Sequence, residues 1–382
     1  MPVMTRDCRP VLYEFFAGGG MARLGLGTGW DCRFANDFDD GKADAYHAAF
    51  GHRPDTRNIA DLRIGDLPGL ADLVWASPPC QDLSLAGRRE GLAASRSGAF
   101  FAFWRLMEGL CADGRPPPLV VIENVTGLLT SNDGRDFATL CDALGTAGYR
   151  FGAVVLDAAD FLPQSRPRLF VIAVRADRAI PGPLTGPTGA ENRRVNAARD
   201  ALPERVRGNW IDWSLPVPPG RTVELADLLE PDTPATPWLA PGKTDRLVAQ
   251  MDSVNRARLD AALASGQRTI GTIYRRTRTR DGQRLQRAEI RFDGVAGCLR
   301  TPGGGSSRQI LAVIENGRLR ARLLSPRETA RLMGLPDSYP LPGIPTQAYR
   351  LTGDGVAVPV VAWLNKHLLL PLHDAACTAK AA

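Results

Sequence analysis

The sequence predicts an α/β protein, a doubly wound and mostly parallel sheet followed by a smaller irregular domain. Three observations carry this. Strand-like and helix-like segments alternate through the first 175 residues, a glycine turn follows the first apolar run, and the texture breaks at about residue 178.

Taken in order, Val11 to Phe16 is an apolar run of strand length, and Phe16-Ala17-Gly18-Gly19-Gly20 is a turn. Met21 to Gly27 starts a helix. Cys32 to Ala35 forms a second strand that ends at Asn36-Asp37. Leu73-Val74-Trp75-Ala76 forms a third, and the prolines of Ser77-Pro78-Pro79-Cys80-Gln81 stiffen the backbone behind it. Leu119 to Ile122, Phe151 to Leu156 and Leu169 to Val174 are further strands. Between them Phe137, Leu140, Cys141 and Leu144 fall at helical spacing, with Gly145 and Gly148 to end the helix. Cys111 and Cys141 therefore read as packing residues.

Beyond residue 178, Pro181, Pro183 and Pro187 interrupt the pattern, and prolines recur from Pro216 to Pro241. This stretch reads as loops and short strands. Ser325-Pro326-Arg327-Glu328 is a capping box with proline at the first helical position, so a helix should run to about Met333 and stop at Gly334. Val356 to Leu370 is apolar enough to pack back on a core. The expected domains are 1–178, 179–344, and a carboxyl-terminal segment 345–382 that returns to the first.

The composition is that of a globular protein, with 44% hydrophobic residues. No segment reaches the roughly 18 consecutive apolar residues of a membrane span, and the amino terminus lacks an export pattern. A cytoplasmic protein without membrane association is expected. The seven cysteines form no CxxC pair and the four histidines show no ligand spacing, so neither disulfides nor a metal are expected. The net charge is +6, and only four of the 47 basic residues are lysine. The charge clusters: Arg275, Arg276, Arg278, Arg280, Arg284, Arg287 and Arg291 face only Asp281 and Glu289 within Gly271 to Arg291. A solvated basic surface explains such a run. Interleaved Tyr274 and threonines, and the nearby Gly303-Gly304-Gly305-Ser306-Ser307-Arg308, fit a surface that tracks phosphates.

Several residues have the chemistry of a site. The glycine turn and Asp37, about 20 residues apart at successive strand ends, suit NAD, FAD or S-adenosylmethionine alike; a surface turn also accounts for Asp37. Cys80, in a rigid turn after a strand, is placed as a nucleophile, although a lone cysteine is commonly a small buried hydrophobe. Glu123 ends the strand Leu119 to Ile122, where a carboxyl group can act as a proton donor or simply be solvated. Gln164-Ser165-Arg166-Pro167-Arg168 sets two guanidinium groups before the next strand.

Their order is more informative than any one of them. The glycine turn, acidic strand end, SPPCQ, ENV, QSRPR, LSPRE helix and carboxyl-terminal GDGV together resemble the DNA (cytosine-5) methyltransferase family, over residues 11–175 and 295–362. The resemblance implies a Rossmann-like S-adenosylmethionine-dependent methyltransferase domain and a smaller target-recognition domain. It implies that Cys80 attacks carbon 6 of a cytosine flipped out of duplex DNA, that Glu123 binds ring nitrogen 3 and the amino edge, and that Arg168 and Arg166 hold the base oxygen and phosphate side. S-adenosylmethionine is the implied cofactor. Phe16, Ala17, Gly18, Gly20, Asp37, Phe38, Asn58, Ile59, Pro79, Asp354 and Val356 are its implied contacts. Double-stranded DNA is the implied partner. It is implied for the loop residues Gln81, Ser84, Arg88, Arg89 and Arg96 and for Arg275, Arg276, Arg278, Arg280 and Arg308 of the recognition domain. A monomer associated with the nucleoid follows, with a cognate restriction endonuclease possible.

The chain departs from the family pattern in places. Asn58 stands where aspartate is usual, Asp82-Leu83-Ser84 replaces Pro-Phe-Ser, and Cys298-Leu299 takes the place of Thr-Leu. Gly353-Asp354-Gly355-Val356 stands for Gly-Asn-Ser/Ala-Val, which sets a negative charge near the cofactor's amino-acid end. Three alternatives remain open. A tRNA-methylating relative shares SPPCQ and ENV but has a shorter middle segment. A catalytically weak DNA-binding homologue, using the scaffold for binding alone, does not need Cys80, Glu123 and Arg168. A nicotinamide oxidoreductase leaves PPCQ, ENV and QSRPR unexplained.

Overall fold

The computed structural model describes residues 9–79, 98–186, 192–280, 283–301 and 308–381, with backbone alone at 278–280, 283–284 and 376–381. The chain forms two compact units. The first comprises residues up to Leu156, Pro167–Val217 and Val360–Ala382; the second comprises Asp157–Arg166 and Pro218–Pro359.

The first unit is built on a six-stranded sheet of order β2-β1-β3-β4-β6-β5. Its strands are β1 (Val11–Phe15), β2 (Asp31–Asn36), β3 (Leu73–Ala76), β4 (Leu119–Val125), β5 (Tyr149–Asp157) and β6 (Pro167–Arg175). β1 pairs in parallel with β2 and β3, and β3 with β4. β6 runs antiparallel to β4. The parallel strands β1 and β3 are buried throughout, as expected for short, continuous apolar runs covered on both faces. Phe137, Leu140, Cys141 and Leu144 line the buried side of the helix Arg135–Thr146, and Phe100, Phe103 and Trp104 that of Ala99–Ala112.

Residues 179–217 fall in the first unit, against the boundary expected at 178. The reason is local. Phe151 N–H donates to Asn209 O and Ile211 N–H to Phe151 O, at 2.9 and 2.6 Å, so this segment lies along β5. A Cβ on Gly152 would sit 2.0 Å from Ile211 O. The segment thereby shields a strand that would otherwise expose its polar edge.

The second unit has a four-stranded antiparallel sheet of order β10-β9-β7-β8. Its strands are β7 (Thr269–Arg280), β8 (Gln283–Arg291), β9 (Ile310–Glu315) and β10 (Arg318–Leu323). Here the sequence reading of loops and short strands needs correction, because β7 alone is twelve residues long. Alternate residues decide it. Ile273, Ala288 and Ile290 join Ile310, Ala312 and Ile314 in a core with Leu247, Met251 and Leu259 from the helices Pro241–Ala249 and Ser253–Ala264. The arginine run is therefore the outer part of a β-hairpin.

The capping box forms as read. Ser325 Oγ accepts from Glu328 N–H at 3.1 Å, and Ser325 N–H donates to Glu328 Oε2 at 2.8 Å. The helix spans Pro326–Arg331, and Gly334 takes the left-handed conformation behind it. Buried Glu328 also receives both guanidinium ends of Arg322, at 2.6 and 2.7 Å.

One helical run, Pro345–Ala375, is long and apolar enough by length and composition to cross a membrane, although it holds no 18 consecutive apolar residues. It breaks at Gly355, and its Val360, Val361, Leu364, Leu368 and Leu369 are buried in the protein. Core packing accounts for their apolarity. Within the first unit Asn365 accepts from Trp30 Nε1 at 3.0 Å and donates to Leu26 O at 2.9 Å. It so pins the helix Met21–Leu26 that follows the glycine turn.

Candidate active site

The carboxyl ends of β1 to β4 share one edge of the sheet, and β6, being antiparallel to β4, starts there. The strand order reverses around β1, the kind of switch point where open α/β sheets bind ligands. Phe16 to Gly20, Asp37, Ser77 to Pro79, Glu123 and Arg168 all lie at this edge.

The glycine turn is built by backbone strain and one carboxylate. Phe16 adopts φ +56°, a left-handed conformation uncommon for a bulky residue and frequent at functional sites. Gly18 is also left-handed, and nothing lies within 4 Å of where its Cβ would be, so its face is open. Gly20 serves packing instead, since a Cβ there would be 2.3 Å from the Phe50 ring. Asp37 closes the turn: Oδ2 accepts from Gly18 N–H at 2.8 Å and Oδ1 from Asp39 N–H at 3.0 Å. Burial pushes its pKa up, against the pull of Lys42 and of those two N–H groups. Asp37 is thus a buried organising carboxylate, not a surface turn. Phe38 beside it is 70% exposed, an apolar side chain free to stack.

Asn58 caps the short turn Ile59–Asp61 by accepting from Ala60 N–H at 3.0 Å. Ile59 is buried in the core of the first unit.

Glu123 and Arg168 meet through strand register. Arg168 lies opposite Val125 across the β4–β6 ladder, which makes it the diagonal neighbour of Glu123 on the same face. Arg168 Nε is 3.2 Å from Glu123 Oε1, and both side chains are largely buried.

Asn124 is a site residue that the sequence reading passed over. It is buried, and its Nδ2 donates to Pro78 O at 3.0 Å while its Oδ1 accepts from Val125 N–H at 2.9 Å. It ties the end of β4 to the Pro78-Pro79 turn, where the prolines offer no N–H of their own. Its place beside Glu123 in ENV was the available signal. Asn124→Ala is expected to lower stability by about 1–2 kcal/mol, the cost of leaving a buried carbonyl unpaired, and to slow turnover. Unchanged melting and kcat together would show that the turn stands on its prolines alone.

Cys80, Gln81, Ser84, Arg88, Arg89 and Arg96 lie outside the described residues. Among the other cysteines, burial pushes the Cys32 thiol up to about 12, Cys111 upward and Cys141 well above its ordinary value. Thiols so held are poor nucleophiles near neutral pH.

Arg166 requires a correction. It is 2% exposed and belongs to the second unit, where its guanidinium donates to Leu299 O at 2.9 Å, Gly353 O at 2.8 Å and Gly355 O at 2.6 Å. It fastens two backbone segments together and does not join Arg168 at Glu123. The cause is a change of partner along the chain: Gln164 bridges to Ala296, and only from Pro167 does the chain pair with β4. In the same unit Asp354, at the end of a helix, accepts from Thr301 Oγ1, and Val356 is buried. Arg275 and Arg276 lie on β7, with Arg276 Nε 3.1 Å from Glu289; Arg278 and Arg280 are on the same strand. Arg308 is exposed and sits over the Tyr349 ring at 5.3 Å.

A buried acid underlies the turn. Glu14 accepts from Arg23 N–H at 3.2 Å and from Tyr46 OH at 3.1 Å. Burial pushes its pKa up to about 7 from an ordinary 4.5. The folded chain therefore keeps a proton that the unfolded chain releases between these values, and stability falls as pH rises through that window. The loss is about 3 kcal/mol. Glu14→Gln is expected to flatten melting temperature against pH between 5 and 8; parallel curves would exclude Glu14 as the group.

Among the described residues no cluster of three or more His, Cys, Asp or Glu is arranged to hold a metal. A family model, C-5 cytosine-specific DNA methylase, matches residues 11–369. The chain is 26% identical over 357 residues to the type II methyltransferase M.HhaI of Haemophilus parahaemolyticus, covering 92% of this chain and 91% of that protein. It is 27% identical over 356 residues to M.NlaX of Neisseria lactamica, covering 92% and 93%. In fold it is similar to the S. pombe Dnmt2 methyltransferase, with TM-score 0.61 and 18% identity over 95% of this chain and 99% of that one. The Entamoeba histolytica methyltransferase EhMeth has TM-score 0.58 and 16% identity over 96% and 98%.

Proposed function

Since the chain belongs to the C-5 cytosine-specific DNA methylase family, we propose that it methylates carbon 5 of a cytosine in a specific duplex DNA sequence, from S-adenosylmethionine and through a covalent adduct at Cys80. The observation that carries the reading is the Glu123–Arg168 pair on the sheet edge where the Asn124-tethered Pro78-Pro79 turn leads into Cys80.

The residues suit the cofactor. Gly18 presents an open face, the strained Phe16 turn is organised by Asp37, and Phe38 offers an exposed ring. Phe16 to Gly18 would hold the amino-acid and sulfonium side, Asp37 the ribose hydroxyls and Phe38 the adenine. When bound, S-adenosylmethionine supplies the methyl group that carbon 5 accepts.

The rest is the work of this chain. The target base leaves the stack, because carbon 6 is out of reach inside a duplex. Cys80, as thiolate, adds to carbon 6. Glu123 meets ring nitrogen 3 with a proton, drawing charge away as the adduct forms, and Arg168 fixes the Glu123 carboxyl group and the base oxygen. After methylation the carbon-5 proton leaves, and expulsion of Cys80 restores the ring. The arginine-bearing hairpin of the second unit binds the DNA. The protein acts as a cytoplasmic, nucleoid-associated monomer, with or without a cognate endonuclease.

The test is incubation with labelled S-adenosylmethionine and mixed-sequence duplex DNA, followed by bisulfite mapping. Protected cytosines in one recurring context are expected. Label in tRNA and none in DNA would reassign the substrate.

A further inference from the structure

The second unit holds a cavity of about 500 Å³ on the face of β7 that carries Thr272, Tyr274 and Arg276, the residues alternating with core-facing Ile273. Two guanidinium groups approach one ring there: Arg276 lies 5.2 Å and Arg300 5.6 Å from the Tyr274 centroid. Gln309 also lines the cavity, and it is the unusual member. Its side chain is 3% exposed, its Nε2 reaches Cys298 O only at 3.4 Å, and its Oε1 has no hydrogen-bond partner among the described residues. A Cβ on Gly297 would sit 2.8 Å from Nε2 and 3.1 Å from Oε1, so glycine at 297 makes room for this carboxamide.

A buried acceptor on a residue that lines a cavity, without a partner among the described residues, is costly unless something arrives to donate to it. Phosphates cannot, and the major-groove face of guanine offers only acceptors. Adenine N6 and cytosine N4 are the exocyclic amino groups displayed in that groove. We infer that Gln309 reads the amino group of one adenine or cytosine, other than the target, in the recognised sequence, with Arg276, Arg300 and Tyr274 walling the base or its backbone. This rests on duplex DNA being the substrate.

The experiment starts from the mapped methylation site. In a series of synthetic duplexes, each non-target adenine is replaced by unsubstituted purine and each non-target cytosine by 2-pyrimidinone, which removes only the amino group. One replacement is expected to lower wild-type kcat/KM by about tenfold to a hundredfold, and its identity tells adenine from cytosine. Gln309→Leu is expected to lose that discrimination while keeping its response to every other position. Gln309→Met, unbranched and of similar length, serves if the leucine variant does not fold. Arg300→Ala, at the exposed rim, should weaken all duplexes in proportion. A flat analogue series with an active wild type, or equal sensitivity in wild type and Gln309→Leu, overturns the inference alone. A wild type that methylates no DNA overturns the proposed function first and this inference with it.

Discussion

Cys80→Ser is expected to stop methyl transfer, lowering turnover by at least about a thousandfold, while duplex binding and melting temperature stay close to wild type. A serine hydroxyl does not ionise near neutral pH, whereas a thiol in a basic setting does, and the ionised form is the nucleophile. Burial holds Cys32, Cys111 and Cys141 in their neutral forms, so these three thiols do not replace it. The substitution exchanges only sulfur for oxygen, so a gel-shift titration separates lost chemistry from lost binding. Turnover within tenfold of wild type would sink the nucleophile assignment.

Glu123→Gln carries the second large effect. It removes the proposed proton donor and leaves the Arg168 guanidinium, 14% exposed, without its carboxylate. A fall in kcat of roughly 10²- to 10⁴-fold is expected for loss of a positioned acid, with little change in KM for S-adenosylmethionine, whose proposed contacts follow β1 and β2. Arg168→Lys should lose part of the same activity, since a point charge holds the carboxyl group less firmly than a planar fork. The two effects should not add in the double variant, because the residues share one contact. Additive losses would mean that they act separately, and a drop in kcat below tenfold for Glu123→Gln would remove it from the chemistry.

Much of the first unit is legible along the chain. β1, β3 and β4 are short apolar runs closed by glycine, proline or acidic residues, and such runs occur where a strand is covered on both faces. The Ser325 capping box is equally local: its partners are three residues apart, so sequence distance and spatial distance coincide. The β7–β8 hairpin was not legible as a sheet. Its arginines and threonines declare a polar surface, and only packing of Ile273, Ala288 and Ile290 on two helices makes it a strand pair.

The candidate site divides in the same way. Residue types and their order, from the glycine turn through SPPCQ and ENV to QSRPR, were determined by the sequence itself, because chemistry resides in side chains. Which of two neighbouring arginines meets Glu123 was decided by tertiary structure. An antiparallel register, set by strands more than forty residues apart, brings Arg168 to the carboxylate, and carbonyl groups from residues 299, 353 and 355 draw Arg166 away. The tether of Asn124 to Pro78 and the Gln309 acceptor, unpartnered among the described residues, are of the same kind. A side chain's reach is a property of the residue, but what waits at the end of it belongs to the fold.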